Sequence, residues 1–379
     1  MCCKRVQAPR RDAANRNRVR RTALRSLGLA CSLATAMPAA ADTAEDSDSR
    51  RALRASLTLD ADAIELLRGG LARGGAWDAL ARFELQLDGI ALGLPQGSRL
   101  QASVARTQGE PASSGHVGDA QGVSNIEADT RSRVYECWYA QPGAAGWLWR
   151  AGLIAADAHF DTLDAAEALL NGSFGAQPTW VGNTRAPVFP TAGVGLMASR
   201  EAAPWSHRIG VFQADPAERS SALRRGALII EQSAWQGVGS YKLGGWLYRP
   251  HGAVADAAPA AGWGLYASAE YPLRAGAAAP RAFLRVGWSP PQDAPVAHDL
   301  QFGLLVPGPL RGRADDRLSV GIAHAALRGQ RAETAYEVAY RLVLSRHVAL
   351  QPDLQYVRHP GGRPGAALVA MLRLHLAWE

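Results

Sequence analysis

Polar side chains that could bind a hydroxyl-rich molecule recur at every second position in several otherwise apolar segments. Arg82, Glu84 and Gln86 form one such set. Arginine presents a rigid fork of donors that can hold two oxygens at once, and adjacent carboxylates accept hydrogen bonds and balance its charge. The same spacing suits salt-bridge ladders that only stabilise a wall. The candidate binding residues of this kind are Arg82, Glu84, Gln86, Arg285, Glu333, Glu337, Arg341, Gln351, Asp353 and Arg373.

Motifs for covalent catalysis and for cofactor binding are absent from the sequence. It contains no HExxH, no GxSxG, no Walker A loop and no Rossmann glycine motif. Only Cys137 lies beyond residue 41, so that part of the chain can form no internal disulfide and has no paired Cys/His zinc spacing. We therefore predict no catalytic residue, no metal and no cofactor, although an unusual hydrolase stays open.

Positive charge is concentrated at the amino terminus. The chain has 379 residues and a net charge of +7, but residues 1–41 hold nine Lys and Arg and one acid, which leaves 42–379 with a net charge of −1. General nucleic-acid binding is thereby disfavoured. The basic stretch precedes a short apolar segment, 27–37, and small residues that end at Ala41, which is the layout of a secretory signal peptide. We predict a signal peptide at 1–41 (or, as the alternative, a disordered basic tail), a flexible segment at 42–55 and one domain at 56–379.

Beyond the leader the pattern has a period of two. In 368–378, leucines at every second position alternate with residues that include Arg373 and His375. Successive side chains of a strand point to opposite faces, so each such segment has one apolar and one more polar face. Segments 77–88 and 334–344 repeat the pattern. No apolar run approaches the ~18 residues of a spanning helix, which leaves a soluble sandwich or an outer-membrane barrel.

Two features of these segments favour a barrel. Their apolar faces end in aromatic residues such as Trp77, Tyr336 and Trp378, which is typical of lipid-facing strands at a membrane interface. The connections tend to alternate between short and long, with 307–317 and 327–332 as exceptions. We predict an all-β fold, a transmembrane antiparallel β-barrel of about 16 strands with long extracellular loops and one loop folded into the lumen.

Stretches spread along the chain resemble the carbohydrate-selective porins of the bacterial outer membrane (OprB type). The resemblance covers roughly 60–379 and implies a sixteen-stranded, monomeric, sugar-permeable channel. One departure is the carboxyl end, since outer-membrane barrels usually end in an aromatic residue and this chain ends in Trp378-Glu379. The matching stretches are VGDAQGVSNIEA at 117–128, YECWYAQ at 135–141, LNGSFG at 170–175, GSYKLGGW at 239–246, GRADDRLSVGIAHA at 312–325 and YEVAYRLVLSRHVALQPDLQYVRHPGG at 336–362.

Four isolated charges lie in otherwise apolar strands, namely Glu136, Arg150, Glu231 and Lys242. A charge that faces lipid near the middle of the bilayer costs roughly 2–4 kcal/mol, so we expect all four to face the lumen. Alternation then also turns Trp246 inward, together with Lys242. An inward tryptophan can stack on a sugar ring or fill a narrow section, and both interpretations stay open.

Residues 158–191 form a long loop that is the candidate constriction of the channel. A loop of about 34 residues is longer than a compact protein needs for a connection. A helix is expected at 161–170, with Asp161 or Thr162 as its N-cap. We expect the loop to fold into the lumen and to set the width of the pore; a loop on the outer surface is the alternative. Its candidate constriction residues are Phe174, Trp180 and Arg185.

The residues and the resemblance together predict a carbohydrate-selective porin in the outer membrane of a Gram-negative bacterium. It would allow passive diffusion of monosaccharides such as glucose into the periplasm. The expected partners are small sugars as permeants, outer-membrane lipid and lipopolysaccharide, and the barrel assembly machinery; no nucleic acid is expected, and the barrel is expected to be monomeric. The alternatives are a barrel enzyme of the outer membrane and a soluble periplasmic sugar-binding β-protein.

Overall fold

The computed structural model describes residues 52–217, 222–251, 262–276 and 278–379. The predicted signal peptide at 1–41 and residues 42–51 of the predicted flexible segment lie outside the described residues. The first strand begins at Leu53. Residues 53–55, which were expected in the flexible segment, are therefore part of the first strand.

Sixteen antiparallel strands close into a barrel. Each strand pairs with its neighbours in the chain, and β1 pairs with β16 to complete the ring. The predicted fold class and strand number are confirmed. The strands are β1 Leu53–Gly69, β2 Gly74–Asp88, β3 Arg99–Gly109, β4 Arg131–Pro142, β5 Trp147–Ile154, β6 Gly193–Ala202, β7 Trp205–Gln213, β8 Gly226–Gln236, β9 Ser240–Pro250, β10 Gly262–Pro272, β11 Arg281–Trp288, β12 Val296–Pro307, β13 Arg317–Leu327, β14 Glu333–Ser345, β15 Val348–Arg358 and β16 Ala366–Trp378.

Among the residues that the structure describes, helical structure is confined to short segments in the connections. No helix within the described ranges is long and apolar enough to cross a membrane. The α-helical turns are Gly172–Gly175 and Pro178–Val181, a π-helical turn is Ser113–Val117, and 3-10 turns are Gly89–Leu92, Ala144–Gly146, Ala156–Ala158, Ala222–Arg225 and Pro360–Gly362.

Alternation along each strand separates an apolar outer surface from a polar lumen. On β15, Gln351, Asp353 and Gln355 point into the lumen and are buried, whereas Leu354 and Tyr356 point outwards and are exposed. A closed ring of strands leaves no edge, so the backbone N–H and C=O groups of the wall pair with one another. An apolar exterior around a fully paired backbone is what a strand protein needs in hydrocarbon.

Aromatic side chains collect at both ends of the outward face. At the rim with the short turns, Trp205 lies opposite Trp235, whose ring centroid is 5.6 Å from that of Tyr241. At the other rim, Trp263 and Trp288 meet edge to face with their centroids 5.6 Å apart. Outer-membrane barrels carry two such girdles and keep their short turns on the periplasmic side. By this rule we name the rim with the short turns the periplasmic rim and the other the extracellular rim.

The connection between β12 and β13 is long for a periplasmic turn, and one side chain fixes it to the wall. The Asp316 carboxylate accepts hydrogen bonds from Nε of Arg313 at 2.8 Å, from the hydroxyl of Tyr340 at 2.7 Å and from the backbone N–H of Val343 at 2.9 Å. The hydrogen bond from Arg313 lowers the pKa of Asp316 to about 2. The carboxylate thus stays charged, and it holds the turn against β14.

A lysine in place of Val338 should destabilise the folded barrel in lipid, because this side chain is exposed on the outward face of β14. A lysine near the bilayer midplane costs about 2–4 kcal/mol, and denaturant titration in lipid vesicles should show that loss in the free energy of unfolding. Gln86→Lys, on the lumen face of β2, is the matched control and should change the value by no more than about 0.5 kcal/mol. Equal losses in both variants would contradict this assignment of faces.

Candidate functional site in the barrel lumen

The connection between β5 and β6 lies inside the barrel. We call residues 155–192 the constriction loop. Its backbone N–H groups donate to side chains that point inward from the wall: Ala155 to Glu136 at 3.0 Å, Asp161 to Gln232 at 2.7 Å and Thr179 to Asp299 at 2.9 Å. The loop therefore occupies the lumen, as the sequence predicted.

Charged residues of the wall anchor this loop at its centre. Arg285 is fully buried and donates to the backbone carbonyls of Phe174 and Asp161. The Glu337 carboxylate accepts from the backbone N–H groups of Leu170 and Asn171, the second at 3.0 Å. Hydrogen bonds to charged groups contribute more than neutral ones, about 1.5–3 kcal/mol each. Arg285 and Glu337 thus use their hydrogen-bonding groups to hold the loop.

Apolar contacts complete the docking of the loop. Phe174 is fully buried and meets Phe283 of the wall edge to face, with centroids 5.9 Å apart. Trp180 is also fully buried and shares a cluster with Trp246. Since Trp246 is only 4% exposed, it fills space beneath the loop and offers no open face for stacking on a sugar. Phe174 and Trp180 likewise pack the loop against the wall and do not line the passage, which corrects their predicted role.

The helix expected at 161–170 is wrong, since the structure has turns there. Asp161 has a φ of 59°, in the left-handed region, whereas an N-cap residue adopts extended backbone angles. The wall also takes the N–H groups that helix bonds would use, since Ala165 donates to Glu270 at 2.9 Å. A helical turn begins only at Gly172, where the side chain of Asn171 caps it by accepting from the N–H of Ser173.

A second loop, 110–130, also enters the lumen, and sequence reasoning did not predict this. The N–H groups of Ala120 and Gln121 donate to the buried Glu333 carboxylate at 2.8 and 3.0 Å. Ser124 donates to Asp62 at 2.7 Å, and the same carboxylate takes two hydrogen bonds of 2.7 Å from Arg373. Asp62 lies at a lumen position of β1, so alternation is the sequence feature that could have identified it.

Half-buried polar groups remain accessible in the lumen around the constriction loop. We call this set the vestibule. It includes one residue that sequence reasoning missed, Arg208 on β7, although an isolated charge in an apolar strand could have identified it. The vestibule residues are Arg82, Glu84, Gln86, Arg150, Arg208, Lys242 and Arg341.

Two vestibule arginines lie over aromatic rings. The guanidinium carbon of Arg82 is 4.7 Å from the centroid of Tyr135, and that of Arg150 is 4.1 Å from the centroid of Trp138. Such cation–π contacts orient the guanidinium plane. A register shift between β3 and β4 allows Tyr135 and the adjacent Glu136 both to be buried on the lumen side. The aromatic faces are thus covered by guanidinium groups.

His159 of the constriction loop connects two vestibule arginines. Arg150 donates to its imidazole, with Nη1 2.7 Å from Nε2, and Arg208 donates to its backbone carbonyl at 2.8 Å. Burial, followed by the charges of Arg150 and Arg208, lowers the pKa of His159 to about 3. The imidazole is therefore neutral near neutral pH and can accept a hydrogen bond from Arg150. This part of the loop and the arginine-rich wall form one connected network.

The predicted lumen orientation of Glu231 is wrong. On β8 the buried lumen positions are Leu228, Ile230 and Gln232, so Glu231 lies on the outward face and is exposed. The hydroxyl of Ser233 donates to its carboxylate at 3.0 Å, which supplies part of the hydration that the carboxylate loses. The orientation of Glu231 follows from strand alternation and not from the free-energy cost of placing a charge in lipid.

The predicted site residues fall into groups according to whether a loop covers them. Arg185, the third predicted constriction residue, is half-buried and pairs with Asp215 at 3.1 Å. The half-buried ones are Arg82, Glu84, Gln86, Arg150, Lys242 and Arg341, and of these Lys242 donates to the backbone carbonyl of Thr162 in the constriction loop. Those that point inward but are buried, and so do not line an open passage as predicted, are Glu136, Trp246, Arg285, Glu333, Glu337, Gln351, Asp353 and Arg373.

Replacing Arg285 with glutamine should loosen the constriction loop, because two loop carbonyls and the Asp161 carboxylate lose their cationic partner. Removing one partner of a buried ion pair costs about 3–5 kcal/mol. We expect a lower free energy of unfolding and a larger, noisier single-channel conductance in planar bilayers. Arg317→Gln, at an exposed position at the periplasmic end of β13, is the control. The anchoring role fails if both variants conduct like the wild type.

Comparisons with known proteins agree with this architecture. The family model described as carbohydrate-selective porin, OprB family, matches residues 68–377. The high-pH structure of Pseudomonas putida OprB superposes with a TM-score of 0.76 at 16% identity, covering 86% of this chain and 94% of that one. The low-pH structure of the same protein gives 0.59 at 14% identity, covering 86% and 93%. A triple mutant of Rhodopseudomonas blastica porin gives 0.54 at 9% identity, covering 86% and 100%.

No curated protein sequence matches the chain. The structural matches are too distant in sequence to show more than the shared barrel. The family model covers most of the chain, and it describes channels that pass carbohydrates through the outer membrane. The chain belongs to the carbohydrate-selective porin, OprB family.

Proposed function

We propose that this porin allows passive diffusion of monosaccharides such as glucose, and that vestibule side chains bind sugar hydroxyls along the way. The observation that carries this proposal is the position of Arg82 and Arg150 beside the constriction loop. Both are half-buried, and the guanidinium carbon of each lies over an aromatic ring, at 4.7 Å from the centroid of Tyr135 and 4.1 Å from that of Trp138. Their outer N–H groups are therefore oriented donors toward the lumen.

The vestibule offers both hydrogen-bonding roles that a sugar needs. Each hydroxyl group of a sugar is both a donor and an acceptor. Arg82 supplies donors, and Glu84, two residues away on the lumen face of β2, supplies an acceptor. Exposed hydrogen bonds of this kind exchange readily with water, so they favour entry without trapping the permeant.

The setting of the channel is part of the same proposal. The outer face between the aromatic girdles contacts lipid, and the extracellular rim contacts lipopolysaccharide. The barrel acts as a monomer, and the barrel assembly machinery inserts it after export through the inner membrane. The apolar outward face supports a membrane location over the soluble alternative.

Arg82→Ala should weaken sugar block of the channel in planar bilayers. A hydrogen bond to a charged group contributes about 1.5–3 kcal/mol, and 1.4 kcal/mol corresponds to a factor of ten, so the half-blocking sugar concentration should rise about tenfold or more. Arg317→Ala is the control, because Arg317 is exposed at the periplasmic end of β13.

Two results would count against this function. If no monosaccharide or disaccharide reduces the conductance of the wild type, selective sugar passage is wrong. If glucose blocks the wild type and Arg82→Ala equally well, the sugar binds elsewhere in the lumen.

A further inference from the structure

A closed cluster of polar side chains lies between the constriction loop and strands β10 to β12. No member is more than 5% exposed. Ser268, Arg285 and Gln301 form one row across the three strands, and Asp299 lies in the next row, opposite Gly287. The loop covers them from the lumen side. We call this set the buried polar cluster: Asp161, Gln177, Thr179, Ser268, Arg285, Asp299 and Gln301.

Oxygen atoms from the loop and the wall converge above Gly287. A Cβ atom at this glycine would lie 2.0 Å from Oγ1 of Thr179, 2.5 Å from Oδ2 of Asp299 and 2.6 Å from Oε1 of Gln177. These distances are too short for any side chain. Glycine at this position therefore lets the three oxygen atoms pack closely against the backbone of β11 and beside one another.

Most oxygens of the cluster have no hydrogen-bond partner among the residues that the structure describes, and neither have the amide nitrogens of Gln177 and Gln301 and Nε of Arg285. A buried polar atom without a partner costs about 1–3 kcal/mol, and native proteins leave few of them. Here they are concentrated in one place. The oxygen atoms concerned are both carboxylate oxygens of Asp161, Oδ1 of Asp299, Oε1 of Gln177 and of Gln301, Oγ1 of Thr179 and Oγ of Ser268.

The cluster also carries one negative charge in excess. Asp161 and Asp299 face a single cation, Arg285. The Nη groups of Arg285 donate to backbone carbonyls, and its Nε is 3.6 Å from Oδ1 of Asp161. The next cation, Lys242, lies outside the cluster and donates to the backbone carbonyl and the hydroxyl of Thr162. An uncompensated charge in a dry interior is strongly unfavourable.

We propose that the buried polar cluster binds one monovalent metal cation, Na⁺ or K⁺. Carboxylate, amide and hydroxyl oxygens are hard ligands, which suit alkali and alkaline-earth cations over transition metals. The charge selects between the two groups, because a monovalent ion makes the cluster neutral and Ca²⁺ would leave a positive charge beside Arg285. The ion joins Asp161, Gln177 and Thr179 of the loop to β10–β12, so it holds the constriction loop in place.

Thermal unfolding of the protein in detergent tests this site. We compare NaCl, KCl and choline chloride at equal ionic strength, because choline is too large for the cluster. A ligand that binds only the folded state raises the melting temperature, and we expect Na⁺ or K⁺ to raise it by about 3 °C or more over choline. Asp299→Asn removes the excess charge and should abolish this difference. Asp161→Asn is the second variant, in case the first does not fold.

The control is Asp164→Asn, on the exposed part of the same loop, and it should keep the full difference between salts. A loss of the difference in this control would overturn the proposal in favour of general surface screening. No difference between salts in the wild type, together with a melting temperature that rises from pH 7 to pH 5, would replace the cation with a bound proton. A larger rise with millimolar CaCl₂ than with Na⁺ or K⁺ would overturn the monovalent assignment.

Discussion

The constriction loop must find partners for its backbone inside a protein wall, and this requirement organises the lumen. Residues 155–192 contain two short α-helical turns and one 3-10 turn, and N–H groups outside these turns, such as those of Asp161, Ala165 and Leu170, find their partners on the wall. A buried backbone group without a partner is costly. The wall supplies partners in the form of side chains, with Glu337 accepting two N–H groups and Arg285 donating to two carbonyls. Many polar side chains on the lumen face of the strands therefore hydrogen-bond to the loop and are not available to a permeant.

Because of this requirement, some charged lumen residues anchor the loop and others stay accessible in the lumen. Arg82 and Arg285 both point inward from the wall, yet Arg82 remains half-buried and Arg285 is fully enclosed. The difference lies in what covers them. Close approach of the loop depends on lumen glycines, since a Cβ at Gly321 would lie 2.4 Å from Leu169 and 2.7 Å from Phe174. Small residues on the wall thus determine where the loop can dock, and the loop determines which charges stay accessible.

Alternation of side chains was sufficient to predict the sixteen strands and the lumen face of nearly every candidate residue. It works because a strand has a period of two regardless of its surroundings. The free-energy cost of a charge that faces lipid was a less reliable guide, as Glu231 shows. That cost predicted a lumen orientation for Glu231. Its neighbours Ile230 and Gln232 occupy the lumen face of β8, so Glu231 points outwards. The estimate omitted the hydroxyl of Ser233 beside the carboxylate.

The local features that failed depend on contacts distant in sequence. The segment 161–170 resembles a helix, but wall carboxylates from β10 and β14 take the N–H groups of Ala165 and Leu170. No pattern within the loop contains that information. The same holds for the burial of Glu333, which depends on a loop more than 200 residues away in the chain, since Gln121 and Glu333 are separated by 212 positions.

Charged anchors fix the position of the constriction loop more narrowly than apolar packing alone would. Phe174 and Trp180 attract the loop to the wall, but hydrophobic contact is non-directional and tolerates small displacements. A shift of the loop by one residue would remove both N–H groups from Glu337 and both carbonyls from Arg285, and would leave a charge buried without a partner. The loop therefore has one strongly preferred position in the lumen. A channel that discriminates among small sugars needs such a fixed wall, because differences of a single hydroxyl are detected only when the opposing donors do not move.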